Sequence, residues 1–305
     1  GLNLALLFGV WVLARITFLL GEEWIVAAAG LDMIFSVALV TAVTYPVVKS
    51  RQWKQMAIVS KLLIITGFNA CFYLGIFGLL ENGVSLGVFG GFYMVIGLVL
   101  TLGRRVIPFF IERGVGYQVQ LINSKWLDIS SLVLYLGFFL AEVLFNYSRV
   151  AAVLALGLLA VNAIRLIGWH TRGIWKNPML WILYLSMWFI CLGFLFFGLS
   201  ALVGMSKYIA LHAFAFGGIG LVTMGMMVRV SLAHTGRSVT QTPMMVKAAF
   251  GAILLGAVVR VLFPLIDIDR YSLWLVASQI LWIAAFAFFL WSFLPILLNP
   301  RIDED

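Results

Sequence analysis

Ten times along this chain, an apolar run long enough to cross a bilayer appears. The runs lie at roughly 1–20, 24–48, 56–80, 84–102, 127–147, 149–168, 178–201, 208–231, 244–265 and 271–298. Hydrocarbon offers no water to backbone N–H and C=O groups, so each run must satisfy its own hydrogen bonds as a helix. Only 10% of the residues are charged, against about 25% in a soluble domain, and the mean hydropathy is +1.10. The expected fold class is an all-α polytopic membrane protein, a bundle of about ten transmembrane helices in a single domain over residues 1–305. Its first partner is the lipid bilayer. Most connections are short, which makes consecutive helices antiparallel neighbours.

The formal net charge of +8 follows the loops and does not indicate nucleic-acid binding. Lys49, Arg51, Lys54, Arg104, Arg105, Arg113, Lys125, Arg165, Arg172, Lys176, Arg237, Lys247 and Arg301 fall in or beside every second connection. The alternate connections hold only Arg149, Lys207 and Arg270, beside Glu22, Glu23, Glu81, Asp267 and Asp269. By the positive-inside rule the basic loops are cytoplasmic, as are both ends of the chain, which an even number of spans requires.

The longest connection, 103–126, reads as a short amphipathic segment at the interface. Pro46, Pro108, Pro178, Pro243, Pro264 and Pro300 read as helix-end punctuation, and Pro295 is placed to kink the last span. Cys71 and Cys191 fall within spans, have no ligand spacing, and read as small core residues. No internal repeat of the kind common in transporters is visible. The chain opens at Gly1 with a span already under way, the pattern expected where upstream residues are missing.

Two of the three histidines, His212 and His234, share one glycine- and methionine-rich span. At about 100° per residue, His212, Phe216, Ile219, Thr223, Met226, Val230 and His234 form one stripe. Gly217, Gly218 and Gly225 fall on the opposite side, where small residues let a neighbouring helix approach. The two histidines are roughly 33 Å apart along an ideal helix, too far to share a metal. His212, deeper in the span, is the leading ligand candidate. His234, followed by Thr235, Gly236 and Arg237, reads equally as a helix cap. Met224, Met226 and Met227 offer thioethers to Cu(I), though methionine is also ordinary membrane filler. His170 lies in a basic loop.

Arg15, Asp32, Glu142 and Arg260 are ionisable groups inside spans at similar expected depth. They read either as structural ion pairs, for example Arg15 with Asp32 and Glu142 with Arg260, or as a polar pocket. In such a pocket the arginines would meet a haem propionate or a small anion. Asn69 and Asn162 extend this polar set, and Arg229 marks a separate positive patch toward the inner surface.

The stretch from His212 to Arg237, above all its ending MVRVSLAHTGR, resembles the NnrS family of bacterial membrane proteins. Similar in the same order are Gly103-Arg104-Arg105-Val106-Ile107-Pro108, Ala257-Val258-Val259-Arg260-Val261-Leu262 and the tail Pro295 to Arg301. The resemblance implies a haem- and copper-containing protein of the bacterial inner membrane, tied to nitric oxide metabolism and protection from nitrosative stress. It also implies about twelve spans, so that an N-terminal pair of helices is expected to be missing here. Family members often carry a histidine where this chain has Tyr184.

Within that resemblance, His212, Thr223, Arg229, Arg260 and Arg15 are the expected cofactor contacts. His212, His234, Met226 and Met227 are the expected metal contacts. A haem–copper oxidase or reductase centre needs several more histidines than the three present. Enzymatic activity and the catalytic residues stay open. The alternatives are a small-anion or metal transporter using Arg15, Asp32, Glu142 and Arg260 as its pathway, or a structural or assembly subunit.

Overall fold

The computed structural model describes residues 2–239 and 242–302. These contain helices and no strands. Nine helices among them are long and apolar enough to cross a membrane. The first apolar run forms helix α1, Leu2–Leu19, whose apolar stretch is shorter. Two compact units are present, Gly1–Leu98 and Val99–Asp305, with their boundary inside one helix.

The first unit holds α1, α2 (Ile25–Lys49), α3 (Met56–Ile76) and the beginning of α4 (Gly83–Gly114). A short 3-10 turn, Glu22–Trp24, joins α1 to α2 behind Gly21, whose φ of +106° lies in the region that favours glycine. Asp32 is the polar hub of this unit. It pairs with Arg15 and accepts hydrogen bonds from Asn69 Nδ2 at 2.8 Å and the Tyr73 hydroxyl at 2.9 Å. The Arg15–Asp32 pairing expected from the sequence is present, and three donors satisfy a carboxylate that apolar surroundings would otherwise penalise.

The second unit continues α4 and adds α5 (Lys125–Phe139), α6 (Ser148–Trp169) and α7 (Pro178–Val203). One continuous span, Lys207–His234, follows, then α10 (Met244–Ile266) and α11 (Tyr271–Leu298). Within that span lie α8 (Lys207–His212), a π-helical segment (Ala213–Gly220) and α9 (Leu221–His234). Helix α7 is apolar all round, as a helix enclosed by others should be, and it packs on α6 and on the Lys207–His234 span. Its start is set locally: Pro178 occupies the first turn, and Asn177 Oδ1 accepts the Met179 N–H at 3.0 Å. Gly204, at φ +73°, ends it.

The structure corrects two readings of the loops. Residues 103–114 do not lie apart as an interfacial segment; they prolong α4, with Pro108 inside the helix. Packing outweighs the hydrogen bond lost at proline: Ile107 and Ile111 are buried. A Cβ on Gly103 would fall 3.1 Å from the Met187 sulfur, and one on Gly114 would fall 3.1 Å from Leu180, both on α7. Pro46, Pro264 and Pro295 also lie within helices, each close to the C-terminal end.

Arg165 is the second correction. Although expected among the loop cations, it is only 3% exposed. It donates to Asn162 Oδ1 at 2.5 Å, Leu127 O at 2.8 Å and Asp128 at 3.0 Å, while Arg104 meets the same Asp128 at 2.8 Å. The connection after α4 is tied down beside this cluster. The Trp169 indole donates to Asn123 at 2.9 Å, and the Tyr117 hydroxyl bonds Thr171 and accepts the Gly173 N–H at 3.0 Å.

Candidate functional site

His212 ends the single turn and a half of α8, where the helix widens into the π-helical segment Ala213–Gly220. π-helical turns are costly and recur where a side chain must be re-aimed. The span packs closely against α7 through this segment and beyond it. A Cβ on Gly217 would strike the Phe189 ring, one on Gly218 would fall 2.6 Å from Ile190, and one on Gly225 would fall 2.9 Å from Ile182. The three glycines predicted to face a neighbour do so, and they hold the span tightly on α7.

The wider turn changes the helical phase. The stripe expected to run from His212 through Thr223 to His234 breaks, because a π turn adds about one residue to the turn. His212 and Phe216 line a cavity of about 420 Å³ together with Ala215, Arg260, Ser278, Gln279, Trp282 and Ile283. Thr223 and His234 are exposed and do not line it, and neither do Met226 and Met227, which are half-buried.

Arg260, on α10, places Nη2 3.0 Å from His212 Nε2. A guanidinium has donors only, so the imidazole accepts at Nε2, and its proton resides on Nδ1. The other terminal nitrogen, Arg260 Nη1, is buried with no hydrogen-bond partner. No carboxylate among the described residues pairs with Arg260; its guanidinium carbon lies 5.8 Å from the Tyr271 ring centroid. The ion pair expected between Glu142 and Arg260 is therefore replaced. Glu142, on a π turn (Leu140–Leu144) that follows α5, pairs with Lys207. Lys207 looked like a lone outer-loop cation, and nothing local in the sequence marks it as a partner.

Two aromatic rings form the cavity's apolar wall. Phe216 and Trp282 meet edge to face, with centroids 4.7 Å apart. Each ring rests where a glycine leaves room: a Cβ on Gly256 would fall 2.8 Å from Phe216, and one on Gly220 would fall 2.8 Å from Trp282. Gln279 and Ile283 are exposed, so the mouth opens at the surface of α11.

The remaining predicted contacts lie elsewhere. Arg15 belongs to the Asp32 hub of the first unit. Arg229 is roughly 25 Å further along the span than His212 at about 1.5 Å per residue. It donates to Met179 O at 3.4 Å and stacks 3.8 Å from the Phe110 ring centroid. His234 stands at a helix end closed by Gly236 at φ +72° and by the Arg237 N–H on Leu232 O at 2.9 Å. That arrangement is the capping reading of the sequence.

Among the described residues no three His, Cys, Asp or Glu side chains form a group able to hold a metal ion. The set proposed for copper does not converge, since only His212 of its four members reaches the cavity. A flat apolar group bearing carboxylates fits better. One imidazole, one guanidinium lacking an acid partner, and two aromatic rings face the same space. The Nε2 lone pair would first have to leave Arg260.

A family model described as NnrS protein matches residues 1–301, essentially the whole chain. No curated protein and no solved structure matches it.

Proposed function

This chain belongs to the NnrS family, and we propose that it is a haem-binding protein of the bacterial inner membrane that serves the nitric oxide response or protection from nitrosative stress. The observation that carries the reading is His212: an imidazole inside a spanning segment, facing a cavity whose walls are otherwise aromatic and aliphatic but for Arg260, Ser278 and Gln279. Polar side chains in spans need a partner or a bound group, and this one has both a partner and adjoining space. Haem bound there would supply an iron centre able to take up a neutral diatomic gas. His212 would hold its iron, Phe216 and Trp282 would pack on its apolar surface, and Arg260 would pair with its carboxylates. Copper has no matching donor set in this cavity. The charge pattern of the loops supports cytoplasmic placement of both ends.

The Arg15–Asp32 and Lys207–Glu142 pairs serve best as structural ion pairs, because each acid is already met by a cation. That weighs against a transport pathway built from them. The test of the haem reading is an absorption spectrum of the purified full chain supplied with haem. His212→Ala is expected to abolish the haem band, and a band unchanged in that variant discards the His212 assignment.

A further inference from the structure

Charge matching within the second unit leaves two part-buried guanidiniums, Arg229 and Arg260, without an acid among the described residues, and Arg260 lines a cavity. Arg104 and Arg165 share Asp128, and Lys207 meets Glu142. Arg229 lies over the Phe110 ring and donates to a carbonyl, with Nε buried without a partner. Arg260 gives Nη2 to a neutral acceptor and likewise holds Nη1 buried without a partner, and it is Arg260 that borders the cavity. A guanidinium in apolar surroundings without a counter-charge is strongly unfavourable.

We propose that the missing counter-charge comes from a ligand: the Arg260 cavity is a receptor for a planar oxyanion, either a small free anion or the carboxylate of a larger apolar molecule. The guanidinium fork matches two oxygens of such a group, which a point cation does not. Gln279 and Trp282, whose side chains carry N–H donors, line the same space, and no acidic side chain among the described residues lines it. Each terminal nitrogen carries two N–H groups, and two-point capture that recruits the one Nη2 now gives to His212 ends that contact. The Nε2 lone pair is then released, so an oxyanion on Arg260 and a metal centre on His212 favour one another. That coupling rests on the haem reading, whereas the oxyanion site does not.

The experiment uses the full chain in nanodiscs, with sodium formate titrated by calorimetry. Iron protoporphyrin and its dimethyl ester are followed by absorption. At least one carboxylate-bearing probe is expected to bind saturably, about tenfold or more weakly in Arg260→Gln and less severely weakened in Arg260→Lys, which keeps the charge. Formate binding identifies a free anion as an occupant. Binding of the porphyrin diacid, with neither formate nor the ester bound, identifies a porphyrin carboxylate. Matching elution and helicity establish that the variants are folded; if Arg260→Gln is not, Arg260→Lys carries the comparison. Equal affinity in the folded variants, or no binding of either carboxylate probe, overturns the proposal. A haem band kept in His212→Ala, with carboxylate probes bound more weakly in Arg260→Gln, defeats the His212 assignment alone; a band lost in His212→Ala, with every carboxylate probe bound equally by Arg260→Gln, defeats the oxyanion site alone.

Discussion

Glu142 and Lys207 form an ion pair that ties the π turn after α5 to the first residue of the span carrying His212. The Glu142 side chain is only 4% exposed and its Oε2 has no partner, while Lys207 is 39% exposed. The pair thus anchors the short α8 just before the cavity, and the buried acid depends on the lysine more than the lysine depends on the acid.

Lys207→Met should therefore destabilise the protein more than Glu142→Gln, because it strands a buried carboxylate. Solvent access at Lys207 reduces the cost of the glutamine variant to about 1–2 kcal/mol. The double variant is expected to recover most of the loss. Thermal unfolding of all four proteins in one detergent checks this, and strictly additive losses would show that the two side chains are not coupled.

Gly217→Ala is expected to cost about 1–3 kcal/mol, since the added methyl meets the Phe189 ring where α7 lies against the π segment. Gly251→Ala, on the exposed face of α10 with nothing within 4 Å of the new carbon, should be neutral or slightly stabilising. Denaturation midpoints for the two variants read the difference. Equal effects would mean that the close approach at position 217 is not what holds the span.

Tyr117 is exposed in the connection after α4, and its pKa lies below the usual phenol range, first because of the hydrogen bond with Thr171 and then because of the Gly173 N–H. For an acid whose folded pKa is lowered, the linked stability is fully present above the unfolded value of about 10 and is lost as pH falls through the folded pKa. The stability advantage of the parent over Tyr117→Phe should accordingly widen as pH rises through the alkaline range. An alkaline absorbance titration paired with unfolding at each pH measures both. A gap that stays constant or shrinks would remove the contribution assigned to the phenolate.

The spans were legible because each sums a preference over some twenty residues, so local exceptions hardly matter. The packing face of Gly217, Gly218 and Gly225 was legible too, from angular position alone. What escaped depends on neighbours distant in sequence. The turn widens where the span packs on α7, and the resulting break in the stripe after His212 left no local mark. Counting charges located Glu142 but could not name Lys207 as its partner, and loop position concealed the burial of Arg165. A usable signal existed in that last case: Asn162 lies three residues before Arg165, on the same helical face, and accepts its hydrogen bond.

The widened turn between His212 and Leu221 lets one membrane crossing carry two independent rotational settings. The upstream portion aims its side chains at the ligand chamber, and the downstream portion orients Thr223, Val230 and His234 outward without constraining that aim. Deleting a single residue between Ala213 and Gly220 would remove the extra residue of the widened turn and carry an ordinary α-helix through the crossing, with the direction of the imidazole relative to α9 as before. The outward residues of the far end can thus change without moving the chamber, and a residue lost from the middle is absorbed in the turn instead of being passed along the crossing.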